Sequence, residues 1–205
     1  MTNFNDIDIR KYDPLLSENP ELGQYIKYLE EANKQLKELS STDELTGLPN
    51  FRHFQEVLDL EFERAKRLVE RGVNYSLSLV LFDIDDFKKY NDDFGHDKGN
   101  KVLEGMGRIL KKGARKIDIP FRYGGEELGV ILPSADLKGA KKFADVLRSK
   151  VEKMEAERTV TVSGGIGTYP NHDIISPIGL FEAADSSLYV AKNSGKNRIC
   201  TYLDR

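Results

Sequence analysis

The chain has 205 residues, enough for one domain with extensions but short of two full ones. With 31 Lys and Arg against 34 Asp and Glu, a net charge of −3 excludes the basic excess of a general nucleic-acid coat, and 39% apolar residues exclude an unfolded chain. The single Cys200 permits no internal disulfide, the longest nearly apolar run (77–82) is too short to span a membrane, and no apolar signal core opens the chain, so a cytoplasmic setting is expected.

Residues 1–20 carry Pro14, Pro20 and several Asn and Asp residues and read as a loose leader. From Leu22 a heptad follows: Leu22, Tyr25, Leu29, Ala32, Leu36 and Leu39 alternate by three and four, with Glu30, Glu31, Lys34 and Lys37 on the other faces. Such a seam suits a short coiled coil or a helix lying on its own domain. Residues 1–40 are therefore set apart as a leader and a signalling or dimerising helix, and 41–205 as the domain proper.

In that domain Phe51, Phe54, Val57, Leu58, Phe62, Ala65 and Leu68 recur at helical spacing. SLSLVLFD (76–83) is apolar on both faces and predicts a central strand. Val102, Leu103, Met106, Ile109 and Leu110 mark a helix, and FRYGGEELGVIL (121–132) a hairpin whose Gly124-Gly125 pair supplies the positive φ of a two-residue turn. A helix through 137–151, a strand at 159–169, a helix through 181–191 and a strand at 198–202 complete the pattern. The expected fold is an α/β sandwich with a mixed central sheet flanked by helices.

Two segments carry chemistry. In FDIDDFKKYNDDFGHDKGN (82–100), Asp83 and Asp85 end an otherwise apolar strand, where a carboxylate needs a cation or a donor. On an extended chain the two point the same way, and magnesium commonly takes one or two carboxylates and completes its shell with water and phosphate oxygens. Phe87-Lys88-Lys89 offers amides and ammonium groups to phosphates, and Asn91 and Asn100, with Gly95-His96 between them, offer amides to a base edge. In the second segment, Arg122-Tyr123-Gly124-Gly125-Glu126-Glu127, the glycine pair lets backbone approach a ligand. If the hairpin lies beside the 76–83 strand, Asp83 and Glu126 converge on one metal site, the arrangement of a metal-dependent enzyme acting on a nucleotide.

DELTGLPN (43–50), FDIDDFKKYNDDFGHDKGN, RYGGEEL (122–128) and AKNSGKNR (191–198) resemble, in order and spacing, the GGDEF family of diguanylate cyclases. The resemblance implies a fold like the palm of nucleotide polymerases and class III nucleotide cyclases, and condensation of two GTP into cyclic di-GMP across a homodimer. It implies magnesium, or manganese in its place, held by Asp83, the carbonyl of Ile84, Glu126 and Glu127, with Glu126 or water accepting the proton of the 3′-hydroxyl. By the same resemblance Lys88, Lys192 and Lys196 contact the triphosphate, Gly124 and Gly125 lie against the nucleotide, Asn91 and Asn100 read guanine, and His96 lies close by. Arg115 and Asp118 match the family's RxxD site, which implies inhibition by the product, and the 22–39 helix takes the place where relatives connect an upstream sensor or partner.

Three departures stand out. Lys196 replaces a frequent Arg, a point charge for a planar fork. Leu128 replaces the usual Phe, one core residue for another. Asn100 replaces the usual Asp, giving one acceptor oxygen and a donor group where guanine offers two donors. Asn100 therefore raises a mixed guanine–adenine dinucleotide synthase beside the cyclase, and a catalytically silent domain binding GTP or cyclic di-GMP is the third reading.

Overall fold

The computed structural model describes residues 20–39, 41–171 and 173–204. Apart from Pro20, the expected leader lies outside the described residues. The chain divides into two compact units, Met1–Ser40 and Ser41–Arg205. In the first, the heptad segment forms helix α1 (Pro20–Leu39), with Tyr25, Tyr28 and Leu29 exposed. Among the described residues no helix is long and apolar enough to cross a membrane.

The second unit runs α2 (Phe51–Glu70), β1 (Leu77–Ile84), α3 (Phe87–Phe94), α4 (His96–Gly113), β2 (Ile119–Arg122), β3 (Glu127–Pro133), α5 (Leu137–Glu152), β4 (Val162–Tyr169), α6 (Pro177–Asn193) and β5 (Ile199–Thr201). The strands form one mixed sheet in the order β2-β3-β1-β4-β5, in which only β4 and β5 are parallel. β1 is central, as its two apolar faces require. Val80, Phe82 and Ile84 face a core with α4 and α5, while Leu77, Leu79 and Leu81 face a second core with α2 and α6. Successive side chains of a strand alternate between faces, so Asp83 falls on the α2/α6 side.

Local signals set the helix starts. Asn50, Asp136 and Ser176 cap α2, α5 and α6 by accepting from the N–H groups of His53, Gly139 and Gly179, and Pro177 occupies the first turn of α6, where its missing donor costs nothing. α6 lies unusually close to β4 because Gly165 and Gly167 have no side chain: a Cβ on Gly165 would stand 2.1 Å from both the Ala184 carbonyl oxygen and the Leu188 nitrogen.

Two local expectations are corrected: β4 begins at Val162, and the hairpin tip is wider than two residues; FKKYNDDF, to which the sequence assigned no element, forms the short helix α3. Neither Gly124 nor Gly125 has positive φ; the N–H groups of Tyr123 and Gly124 both donate to the Glu127 carbonyl (3.1 and 3.3 Å). The wider tip is held by Arg122, whose guanidinium donates to the carbonyls of Gly124 (3.1 Å) and Gly125 (2.6 Å).

Gly165→Ala is expected to destabilise the domain by about 3 kcal/mol, because helix backbone must move to admit the methyl group. Gly125→Ala, whose Cβ meets nothing within 4 Å, should stay within about 0.5 kcal/mol of the parent in the same urea unfolding series.

Candidate active site

The antiparallel register of β1 and β3 places Asp83 directly opposite Glu127. Residues opposite one another project from the same face, so two like charges meet at the end of the sheet. Glu126, expected to be the partner of Asp83, stands one residue further out, and its carbonyl accepts from the Ile84 N–H at 3.3 Å.

Asp83 is buried, 6% exposed, and its nearest cation is Lys192 in the last turn of α6, Nζ to Oδ2 at 2.6 Å. Burial pushes the Asp83 carboxyl above its ordinary value in spite of that lysine. Glu126 and Glu127 are raised as well, first by burial and then by the charge of Asp83. The Glu127 carboxylate folds back over Gly124: a Cβ there would lie 2.1 Å from Oε2, so any larger residue would occupy its place. The buried Tyr123 hydroxyl, beside this group, has no hydrogen-bond partner. The strand ends thus converge as expected, but the oxygens are not drawn into a cage. Among the described residues no group of three or more His, Cys, Asp or Glu side chains is assembled to hold a metal ion.

Asp85 has a different task from Asp83. Its carboxylate accepts from Thr161 Oγ1 and Ser163 Oγ, both at 2.7 Å, and from the Asn197 N–H at 3.1 Å, so it ties β4 and the turn before β5 to the end of β1. Asp86, in a left-handed conformation at the start of α3, pairs with Lys196 at 2.6 Å. Its side chain does not cap α3, which leaves the first amides of that helix open beside exposed Lys88. Asn91 packs over Gly99 with its Oδ1 buried and without a partner, and Asn100 and His96 are exposed on the first turns of α4.

A pair that sequence reasoning left without a role braces the hairpin. Arg122 Nη1 donates to both carboxylate oxygens of Asp43 (3.0 and 2.9 Å), and Asp43 also accepts from the Thr46 N–H and hydroxyl. Burial works against the Asp43 charge, but the bonds from Thr46 and Arg122 outweigh it and hold the carboxyl below its ordinary value.

Arg115 and Asp118 lie elsewhere. Arg115 donates to the carbonyl of Pro133, the last residue of β3, whereas Glu127 is the first, so the two sites occupy opposite ends of that strand. The Asp118 side chain is 1% exposed and accepts from the Arg115 backbone N–H, Nε and Nη2. The pair borders a cleft of about 690 Å³ beside α5.

The sequence profile of the family described as "Diguanylate cyclase, GGDEF domain" matches residues 40–198. The chain belongs to the GGDEF family. Diguanylate cyclase DgcM of Escherichia coli is 37% identical over 175 residues, covering 84% of this chain and 40% of DgcM. The response regulator PleD of Caulobacter vibrioides is 35% identical over 207 residues, covering 95% of this chain and 44% of PleD. The chain thus spans less than half the length of these curated relatives. Among solved structures, the GGDEF domain of DgcB from Caulobacter crescentus, in complex with cyclic di-GMP, superposes with a TM-score of 0.73 at 29% identity over 80% of this chain and 96% of that one. Diguanylate cyclase SiaD of Pseudomonas aeruginosa, in complex with its activator SiaC, gives 0.70 at 32% identity over 93% and 72%. The α/β fold read from the sequence is the GGDEF fold.

Carboxyls raised in the folded GGDEF domain bind protons more readily there than in the unfolded chain. Their contribution is favourable below the ordinary carboxylate value and is lost as pH rises through the raised one. Glu127→Gln should therefore raise the melting temperature at pH 7 in metal-free buffer, with the gain shrinking as pH falls towards about 4. Differential scanning across that range reads both effects.

Proposed function

We propose that the chain is a diguanylate cyclase that condenses two GTP into cyclic di-GMP with release of two pyrophosphates. The observation that carries this reading is the opposition of Asp83 and Glu127 at adjoining strand ends beside Lys192, in a GGDEF domain. Asp83, Glu126, Glu127 and the Ile84 carbonyl would hold magnesium, or manganese in its place. All are hard oxygen donors, their negative charge exceeds what Lys192 offsets, and Gly124 leaves room for the Glu127 carboxylate. When bound, such an ion supplies a Lewis acid at the α-phosphate and eases loss of the 3′-hydroxyl proton.

The chain's own residues do the rest. Lys192 and Lys196 exchange Asp83 and Asp86 for phosphate oxygens, and Lys88 with the open amides of α3 meets the same triphosphate. Gly124 and Gly125 keep the hairpin tip low against the nucleotide. Asn91 and Asn100 face the guanine, with His96 beside it. The 3′-oxygen of one GTP attacks the α-phosphorus of the other, the bond from that phosphorus to the pyrophosphate breaks, and the hydroxyl proton passes to Glu126 or to water. A second, symmetric attack closes the ring.

One nucleotide per protomer and a two-fold product call for a C2 homodimer, and the exposed Tyr25 and Leu29 of the α1 heptad suit pairing with a second copy. The same helix, in residues 1–40, is the route for an upstream sensor or activating partner, and the expected setting is cytoplasmic. Asn100 favours a second reading, a mixed guanine–adenine product, because an amide can face either base edge. Cyclic di-GMP inhibits by taking Arg115 and Asp118, with the guanidinium leaving the carboxylate to meet the guanine edge.

Incubation with GTP, ATP and magnesium, followed by mass spectrometry, should give cyclic di-GMP as the main product. Glu126→Gln should lower the rate by at least about a hundredfold, and Asn100→Asp should reduce ATP incorporation. No cyclic dinucleotide from the parent chain would leave a binding module. Arg115→Ala should raise the product's inhibition constant by about tenfold or more without loss of basal turnover; an unchanged constant would remove the inhibitory role.

A further inference from the structure

Two consecutive residues with side chains lie in the left-handed region just before β5, Lys196 at φ +61 and Asn197 at φ +45. Side chains seldom adopt this conformation, and it persists where neighbours over-determine it. Here the neighbours converge on Asn197. Its backbone N–H donates to Asp85 Oδ2 (3.1 Å), its Nδ2 donates to Glu152 Oε1 (3.1 Å), and its Oδ1 accepts from Arg148 Nη1 (2.7 Å). Arg148 and Glu152 also pair with each other at 3.2 Å, closing a triangle of side chains. Opposite charges on the two sides of one amide fix which way it faces.

Arg148 and Glu152 stand on α5, whose buried residues Ala140, Ala144, Leu147 and Val151 seat it in the core with α4. Neither residue belongs to the motifs that carry the family resemblance. The turn they hold directs Lys196 to Asp86 at the start of α3, 2.6 Å away. A lysine on an unconstrained turn would sample many directions, whereas this one is aimed by a backbone conformation that Asn197 locks from behind.

We infer that Arg148 and Glu152 are positioning residues for triphosphate binding: by gripping the Asn197 amide they hold the left-handed turn that presents Lys196 to the phosphates. This rests on Lys196 being a phosphate contact, as proposed above. Neither side chain touches the nucleotide. Their effect passes wholly through Asn197, so it vanishes when Lys196 is removed.

The experiment is a double-mutant cycle on the full chain, with dissociation constants for GTP and for inorganic pyrophosphate measured by calorimetry in magnesium buffer. Arg148→Met should weaken both ligands by roughly tenfold, Arg148→Lys should recover part of the loss, and Arg148→Met with Lys196→Ala should bind no worse than Lys196→Ala alone. Asn197→Ala removes the same node from the turn side and serves in place of Arg148→Met if that variant does not fold. The inference is overturned, with the lysine's role intact, if Lys196→Ala weakens pyrophosphate while Arg148→Met and Asn197→Ala do not, or if the two losses simply multiply in the double variant. If Lys196→Ala leaves both ligands unaffected, the phosphate assignment falls and takes the inference with it.

Discussion

Two carboxylates held against each other across a strand pair are the constraint from which the site follows. The alternation that puts Leu77, Leu79 and Leu81 into one core and Val80, Phe82 and Ile84 into the other leaves Asp83 no choice of face. The register that buries the apolar residues of β3 is the same one that brings Glu127 opposite. A slip of one residue would turn every neighbouring side chain to the wrong layer, and in one direction it would only exchange Glu127 for Glu126 opposite Asp83. The fold therefore imposes a local excess of negative charge, which one lysine offsets incompletely. It is a demand that a cation can meet.

The same end of the sheet depends on features that carry no charge. Gly165 and Gly167 let α6 settle onto β4, and that close packing brings Lys192 within reach of Asp83. Gly124 clears the space over which Glu127 folds. Arg122 joins the two carbonyls of the hairpin tip to Asp43, so the loop before α2 and the acidic tip form one braced unit. Asp85 does the same for β4 and the turn before β5. Catalytic-looking residues and scaffold residues alternate along FDIDD, and only the partners tell them apart.

Much of the fold was legible because its signals are local. The double apolar face of 76–83 announced a central strand, and helical spacing announced α2, α4, α5 and α6. α3 escaped notice because an eight-residue helix with only Phe87 and Tyr90 buried shows no sustained period. The convergence of the two acidic segments was also legible, but not which glutamate faces Asp83, since β1 and β3 are distant in the chain and their register is set by packing across the whole sheet. Asp43 and Arg122 are 79 residues apart, and nothing short of the folded chain pairs them. Arg115 and Asp118 are three apart, so their ion pair was foreseeable, whereas the burial of Asp118 was not.

β3 has seven residues, and its two ends are about 20 Å apart. Arg115 reaches the carbonyl at one end and Glu127 projects from the other, so a molecule lodged at the first leaves the second sterically vacant. Both could be filled at once on a single protomer. Saturating nucleotide would then fail to evict the distal occupant, and any inhibition arising there would take a non-competitive form, transmitted by the strand or by clamping whole protomers together.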